Sequence, residues 1–198
     1  LAHSFPARRS SDLNTYFLLN FRLFQLLETE DWENLITYLE EKIYQKKRFQ
    51  AQYIRLLINT YLLRSDVESI RKLETFIREQ KSDILSKFAV AFGIPYLLQN
   101  DSKKMEQYYE EFLDKKKHEE GRWIRWNYAF SLYLQKRGEE AKSRLLSLVE
   151  ETKEPVLQLL NIYLLKTYSD DTTVAETVER VKNELTSRFS SSEWEKEV

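Results

Sequence analysis

The sequence predicts an all-α fold, an α-solenoid built from about five helix-turn-helix hairpins. Only 3 of the 198 residues are Gly and 3 are Pro, which favours long helices joined by short turns. Apolar residues recur at spacings of three and four, the period of one helix face. A short acidic turn returns every 35 residues, at Asp31, Asp66 and Asp101. Because one hairpin cannot bury its own apolar face, such repeats have to stack on their neighbours.

The composition argues against several classes of protein. Hydrophobic residues make up 42% of the chain and charged residues 32%, with a formal net charge of −1. Since acids and bases alternate along the chain, we expect no broad attraction to nucleic acid or to an anionic membrane. The absence of Cys removes disulfides, thiolate metal sites and cysteine nucleophiles. No apolar run approaches the ~20 residues of a membrane span, so none is predicted in this fragment.

The N-terminal stretch needs separate treatment. Residues 3–13 resemble the translated reading frame of a sequencing adapter, with Ala7 in place of Thr. We therefore predict that residues 1–13 are a disordered, non-native scar and that the native N-terminus is missing. An ordinary disordered basic N-terminus is the alternative. In either case the localisation is unknown, with the cytoplasm as the default expectation.

The first two hairpins are predicted at about 14–47 and 49–80. In each, a helix with one apolar face is followed by an aspartate that can cap the next helix, Asp31 in the first and Asp66 in the second. The two hairpins therefore have the same predicted plan, in which the acidic turns are helix caps.

The third hairpin is predicted at about 82–117, with Asp101 as its cap. Its first helix contains Gly93 and Pro95. Because proline removes a backbone donor and its ring clashes with the preceding turn, we expect a kink or a break near Gly93. The fourth and fifth hairpins are predicted at about 121–151 and 154–188.

Pro155 opens the fifth hairpin at a first-turn position, where its missing N–H costs nothing. A cap is predicted in the turn from Asp170 to Thr173. The serine-rich, acidic segment 190–198 is predicted to be a flexible tail.

Helix pairs of this length resemble the tetratricopeptide repeat, whose period is about 34 residues. When the hairpins are aligned on the turn, Gly93 lies where that family has a small residue. Tyr61 and Tyr96 lie where it has a large aromatic residue. Bulky Ile58 and Ile70 occupy other positions that are usually small. The resemblance therefore implies a divergent, tetratricopeptide-like (TPR-like) right-handed superhelix.

The resemblance also implies a partner-binding groove, lined by residues of the first helix of each hairpin that point away from the hairpin core. The residues implied for this groove are Gln52, Arg55, Asn59, Lys87, Trp123 and Trp126. Exposed Trp, Arg and Asn side chains suit the recognition of a peptide. We therefore predict a non-catalytic protein–protein interaction or scaffold module that binds a peptide or a partner helix in a concave groove.

Two alternative functions stay open. The chain could be a regulatory or structural domain of a larger, possibly membrane-anchored protein whose N-terminus is missing. It is also similar in period to the pentatricopeptide family of RNA-binding proteins. Those proteins need a basic groove for the phosphates, and this chain is slightly acidic.

No catalytic, metal or cofactor site is predicted. The two histidines, His3 and His118, lie in the presumed scar and in a charged loop, without a second ligand nearby in the sequence. Paired carboxylates such as Glu139 and Glu140 occur among basic residues and are typical of solvated helix faces. The sequon at Asn100 is explained by the capping role of Asp101. The oligomeric state is not predicted.

Overall fold

A computed structural model describes residues 18, 20–114, 120–168 and 170–188. Within these ranges the structure is all-helical and contains no strand. The predicted scar, the predicted tail and residues 115–119 lie outside the described part of the chain, as does His118.

The chain divides into two compact units, one that ends at Leu73 and one that begins at Glu74. In the first unit, helix α1 occupies residues 20–28. The following helices are α2 (Trp32–Glu40), a π-helical turn (Glu41–Gln45), α3 (Ala51–Leu63) and α4 (Val67–Gln80). Helix α4 is continuous, and the boundary between the two units falls inside it.

The second unit continues from α4 with three further pairs of helices. They are a 3-10 helix (Ser82–Phe88) leading into α5 (Ala89–Leu98), then α6 (Ser102–Glu110), α7 (Gly121–Leu134), α8 (Gly138–Glu151), α9 (Pro155–Leu165) followed by a 3-10 turn (Lys166–Tyr168), and α10 (Thr172–Arg188).

Four of the described connections share one backbone geometry. Each contains a non-glycine residue with positive φ, namely Glu30, Ser65, Asn100 and Lys136, at φ values of 52°, 56°, 54° and 62°. In each case the amide of this residue donates to the carbonyl three residues earlier. The next amide donates to the carbonyl five residues earlier. These bonds define the Schellman motif, which ends a helix by satisfying its last carbonyls.

The residue after the positive-φ position begins the next helix. Asp31, Asp66 and Asp101 each accept a hydrogen bond from the backbone amide three residues later, at 3.2, 3.1 and 3.1 Å. These residues are therefore N-caps, as the sequence predicts. In the fourth turn Arg137 makes no cap and instead pairs with Glu140 and Glu106.

The last hairpin also has an aspartate cap. Asp171 accepts backbone hydrogen bonds from Thr173 and Val174 at 3.0 and 3.3 Å. The pKa of the Asp171 carboxyl is lowered, mainly by a hydrogen bond from the Lys142 ammonium group and next by the hydrogen bond from the Val174 amide. The cap therefore favours its charged form.

The predicted break near Gly93 is wrong in position. Helix α5 passes through Gly93 and Pro95, and the change from 3-10 to α geometry falls at Phe88, whose φ is −129°. The Tyr109 side chain of α6 lies against Gly93, and its hydroxyl donates to the Val90 carbonyl at 3.2 Å. The helix is therefore supported from outside at the turn where Pro95 lacks a backbone donor.

Packing within the second unit centres on α7, which contacts α6 and α8 along the chain and also α5 and α9. The core between α7, α8, α9 and α10 is formed by Ala129, Leu145, Val149, Leu164, Leu165, Val174, Val181 and Leu185. In the first unit α2 packs on α3, and buried Tyr61 donates to Glu40 at 2.6 Å. The pKa of the Tyr61 hydroxyl is raised, mainly by burial and next by this hydrogen bond.

We predict that Lys136→Gly stabilises the chain by about 1 kcal/mol, because a side chain at positive φ strains the backbone and glycine does not. The matched control is Lys72→Gly, which places the same change in the middle of α4 at an exposed position. There glycine should cost about 1 kcal/mol. Urea unfolding of both variants measures the difference, and equal destabilisation would rule out strain at Lys136.

A second prediction concerns close packing at Gly93. A Cβ atom added there would lie 2.0 Å from the Tyr109 hydroxyl oxygen and 2.3 Å from Cζ of the ring. Since Tyr109 is 1% exposed, Gly93→Ala should destabilise the chain by about 2 to 3 kcal/mol. Gly121→Ala, which meets open space, is the control and should be neutral or slightly stabilising. Thermal melts compare the two variants, and a wild-type melting temperature for Gly93→Ala would contradict the prediction.

Candidate partner-binding site

Four aromatic side chains follow one another along one face of α7, and a fifth, from the turn after α9, extends them. Trp123, Trp126, Phe130 and Tyr133 are spaced by three, four and three residues, which places them on the same side of a helix. Successive ring centroids lie 6.4, 5.1 and 6.3 Å apart. Tyr168 meets Tyr133 edge to face at 6.5 Å. These five residues are termed the aromatic row.

The aromatic row is half-buried along its whole length. The rings of Trp126, Phe130, Tyr133 and Tyr168 pack against the core between α7 and α10. Partial burial raises the pKa of the Tyr168 hydroxyl. Because the core holds the inner edges of these rings, the outer surfaces are presented in one fixed arrangement. The row is therefore an ordered apolar surface that needs little rearrangement to bind a ligand.

Several buried polar groups of α7 and α9 have no hydrogen-bond partner among the described residues. The indole Nε1 of Trp123 donates to Glu154 Oε1 at 3.1 Å, whereas the indole Nε1 of Trp126 is buried without such a partner. On α9, both amide atoms of Asn161 are buried and unbonded, and so is Oε1 of Gln158. Each such group costs about 1–3 kcal/mol when it stays unsatisfied. The buried side of α9 therefore contains polar groups beside its leucines.

The predicted groove residues lie on three elements. Trp123 and Trp126 are neighbours in the aromatic row of α7. Gln52, Arg55 and Asn59 are exposed on one face of α3, in the first unit. Lys87 is exposed in the 3-10 helix of the second unit. The role of these six residues in binding stays a prediction.

Phe130 and Tyr168 were not among the predicted groove residues, and neither was Tyr133. The available signal was the spacing of Trp123, Trp126, Phe130 and Tyr133 along one helix face. Such a stripe is normally a core stripe, and the sequence does not show that this one is only half covered.

Apart from the aromatic row, a pocket of about 370 Å³ with charged side chains lies between α7 and α8. Arg125 pairs there with Glu151 at 2.7 Å, and the Arg144 guanidinium lies 5.6 Å from the centre of the Tyr128 ring. Burial raises the pKa of the Tyr128 hydroxyl. Because an acid already compensates Arg125, the pocket presents less free charge than its two arginines suggest.

Within the described ranges, no group of three or more His, Cys, Asp or Glu side chains could hold a metal ion. None of the described helices is long and apolar enough to cross a bilayer.

We expect the hydrogen bond from Trp123 to Glu154 to fix the first ring of the aromatic row. Trp123→Phe and Glu154→Ala should each cost about 1 kcal/mol, and the double variant should cost less than their sum, because both remove the same bond. In the control cycle Trp126→Phe should be additive with Glu154→Ala, since Trp126 Nε1 has no partner. Urea unfolding measures both cycles. Additivity in the Trp123 cycle would show that the bond does not contribute to stability.

Comparison with known proteins places the chain in a family. A curated relative from Treponema pallidum (strain Nichols), described as an uncharacterized protein, is 29% identical over 153 residues. The aligned region covers 77% of this chain and 49% of the relative, so the chain spans about half the length of the curated relative it matches. No solved structure matches the chain significantly. The family described as "Uncharacterised Treponema protein" matches residues 69–198, a range that includes the whole second unit, and the chain belongs to this family.

Proposed function

We propose that the hairpins of the second unit stack as a TPR-like α-solenoid and serve as a non-catalytic protein-binding or scaffold module. The ligand is an extended peptide or a helix of a partner protein. The observation that carries the proposal is the aromatic row, an ordered and half-buried apolar surface along α7.

Helix contacts support the stacked arrangement. Helix α7 contacts the first helices of the hairpins before and after it, α5 and α9. The second helices are linked in the same order by ion pairs: Arg137 of the turn before α8 pairs with Glu106 of α6 at 2.5 Å, and Arg180 of α10 pairs with Glu150 of α8. Ion pairs at or near the surface add little stability, so their value here is as markers of which helices are neighbours.

The turns provide the second support. Four Schellman turns of the same geometry recur at intervals of 35, 35 and 36 residues. A fixed turn at a fixed interval gives each hairpin the same relation between its two helices. Repeats that are built in this way bury a continuous core by contacts between neighbours.

The aromatic row suits a peptide for physical reasons. Aromatic side chains are enriched among the residues that contribute most to protein–protein binding, because a rigid ring buries a large area at low entropic cost. The rings are already packed against the core. Binding a peptide here would therefore require little ordering of the protein.

A peptide-display selection against the 198-residue chain tests the proposal. Selected peptides should bind the wild type. Phe130→Ala or Tyr133→Ala should weaken their affinity by about tenfold or more, and tenfold corresponds to about 1.4 kcal/mol. The control is Phe21→Ala, which removes an aromatic ring that is 65% exposed and lies outside the aromatic row. Fluorescence anisotropy measures affinity, and circular dichroism checks that each variant is folded.

Equal binding by the row variants and by Phe21→Ala would place the ligand elsewhere and contradict the proposal. A separate arm changes Arg55 and Asn59 together to Ala on α3. Loss of the same peptides in that variant would extend the binding surface to the predicted groove residues of the first unit.

One observation favours a second role for the chain, as a regulatory or structural domain of a larger protein. The chain aligns with only 49% of its Treponema relative. In that case the partner of the aromatic row is another part of the same polypeptide. The longer protein, expressed with and without the residues outside this chain, should then differ in peptide affinity, since an internal segment would compete for the row.

A further inference from the structure

Helix α9 is apolar on two opposite sides. Its inner side is buried and contains Leu157, Leu164 and Leu165. Its outer side carries a second apolar stripe at the helical spacing of three and four. This outer stripe consists of Val156, Leu159, Leu160 and Tyr163, of which Leu159 is 36% and Tyr163 is 72% exposed. The outer stripe is therefore an apolar surface that the described residues leave partly uncovered.

The outer stripe forms one side of a groove of about 460 Å³ between α9 and α10. Ile162 and Val178 complete its apolar lining, and no residue of the aromatic row lines it. The charged groups of the lining are Lys166 of the turn after α9 and Lys182 of α10, and none of the described residues that line the groove is acidic. The groove is therefore an apolar channel with positive charge on both sides.

The two lysines are available to a ligand. Lys166 forms no ion pair with another described residue, and its side chain is exposed. Lys182 lies 3.4 Å from Glu179, in a pair whose two side chains are both more than 60% exposed. The aliphatic stems of such lysines extend the apolar surface, while their ammonium groups stay in water. A ligand with an apolar face and acidic flanks would match both features.

Size and charge indicate which occupant fits. The stripe from Val156 to Lys166 is about 15 Å long at the 1.5 Å rise of a helix, which matches about three turns of a partner helix. A second copy of this chain fits poorly. In a two-fold dimer the same patch faces itself, so the lysines of one copy would face a patch whose charged lining groups are also lysines, and like charges across an interface are costly.

We propose that the groove between α9 and α10 binds an acidic amphipathic helix of a partner protein. Apolar residues at i, i+3, i+4 and i+7 of that helix lie on Leu159, Leu160 and Tyr163. Its flanking carboxylates pair with Lys166 and Lys182. This surface is distinct from the aromatic row and does not depend on a peptide binding there.

Two synthetic helical peptides of about 18 residues test this inference. They share one leucine stripe, and one carries Glu on its flanks where the other carries Lys. The acidic peptide should bind the 198-residue chain at least about tenfold more tightly than the basic peptide does, and added salt should weaken its binding. Changing Lys166→Glu and Lys182→Glu together should reverse the preference, since the repulsion then falls on the acidic peptide. Fluorescence anisotropy of labelled peptides measures all four affinities.

Matched variants locate the binding site. Leu159→Glu should weaken the binding of the acidic peptide by about tenfold or more, because it places a negative charge in the apolar channel, and this charge repels the peptide's carboxylates. Leu63→Glu, at an exposed leucine of α3, should leave the affinity unchanged. Trp123→Ala should also leave it unchanged, which separates this groove from the aromatic row.

Three results would overturn the inference. They are equal affinity of the wild type for the two peptides, no reversal in the double lysine variant, and equal effects of Leu159→Glu and Leu63→Glu. Sedimentation of the wild type adds a fourth, since a dimer that Leu159→Glu dissociates would show that a second copy occupies the groove.

Discussion

The double use of one aspartate in three of the turns is the constraint on which the rest of the structure depends. In three turns an aspartate gives its backbone amide to the end of one helix and accepts, with its side chain, an amide of the next. The residue before it has to adopt positive φ. Because both helix ends are fixed within two residues, the angle between the helices is fixed as well. The apolar stripes then face each other.

Much of this plan could be predicted from the sequence, because short-range interactions determine it. Asp31, Asp66 and Asp101 have the residue type and spacing of caps, and the flanking apolar period indicates helices. The break at Phe88 could not be predicted in the same way. Proline at position 95 suggests a local disturbance, but the contact of Tyr109 with Gly93 and Val90 is made between helices, and no local pattern in the sequence shows it.

The candidate site was less predictable for a related reason. Periodicity shows which side chains share a helix face, and it does not show how much of that face a neighbour covers. Trp123 and Trp126 were identified from their type, whereas Phe130 and Tyr168 are recognised only when the core beneath them is visible. The outer side of α9 presents the same problem, since the polar residues of this helix, Gln158 and Asn161, are buried and do not mark the side that is exposed. Family membership adds no residue roles here, so these surfaces rest on geometry alone.

The aromatic row also gives the chain a built-in optical reporter. The chain has four tryptophans, and two of them, Trp123 and Trp126, lie side by side in the row. Each of these two is partly in contact with solvent. Indole emission moves to shorter wavelength when water is removed from the ring. Occupation of the row would therefore change the colour of the intrinsic fluorescence without any label, whereas a ligand between α9 and α10 would not touch either indole.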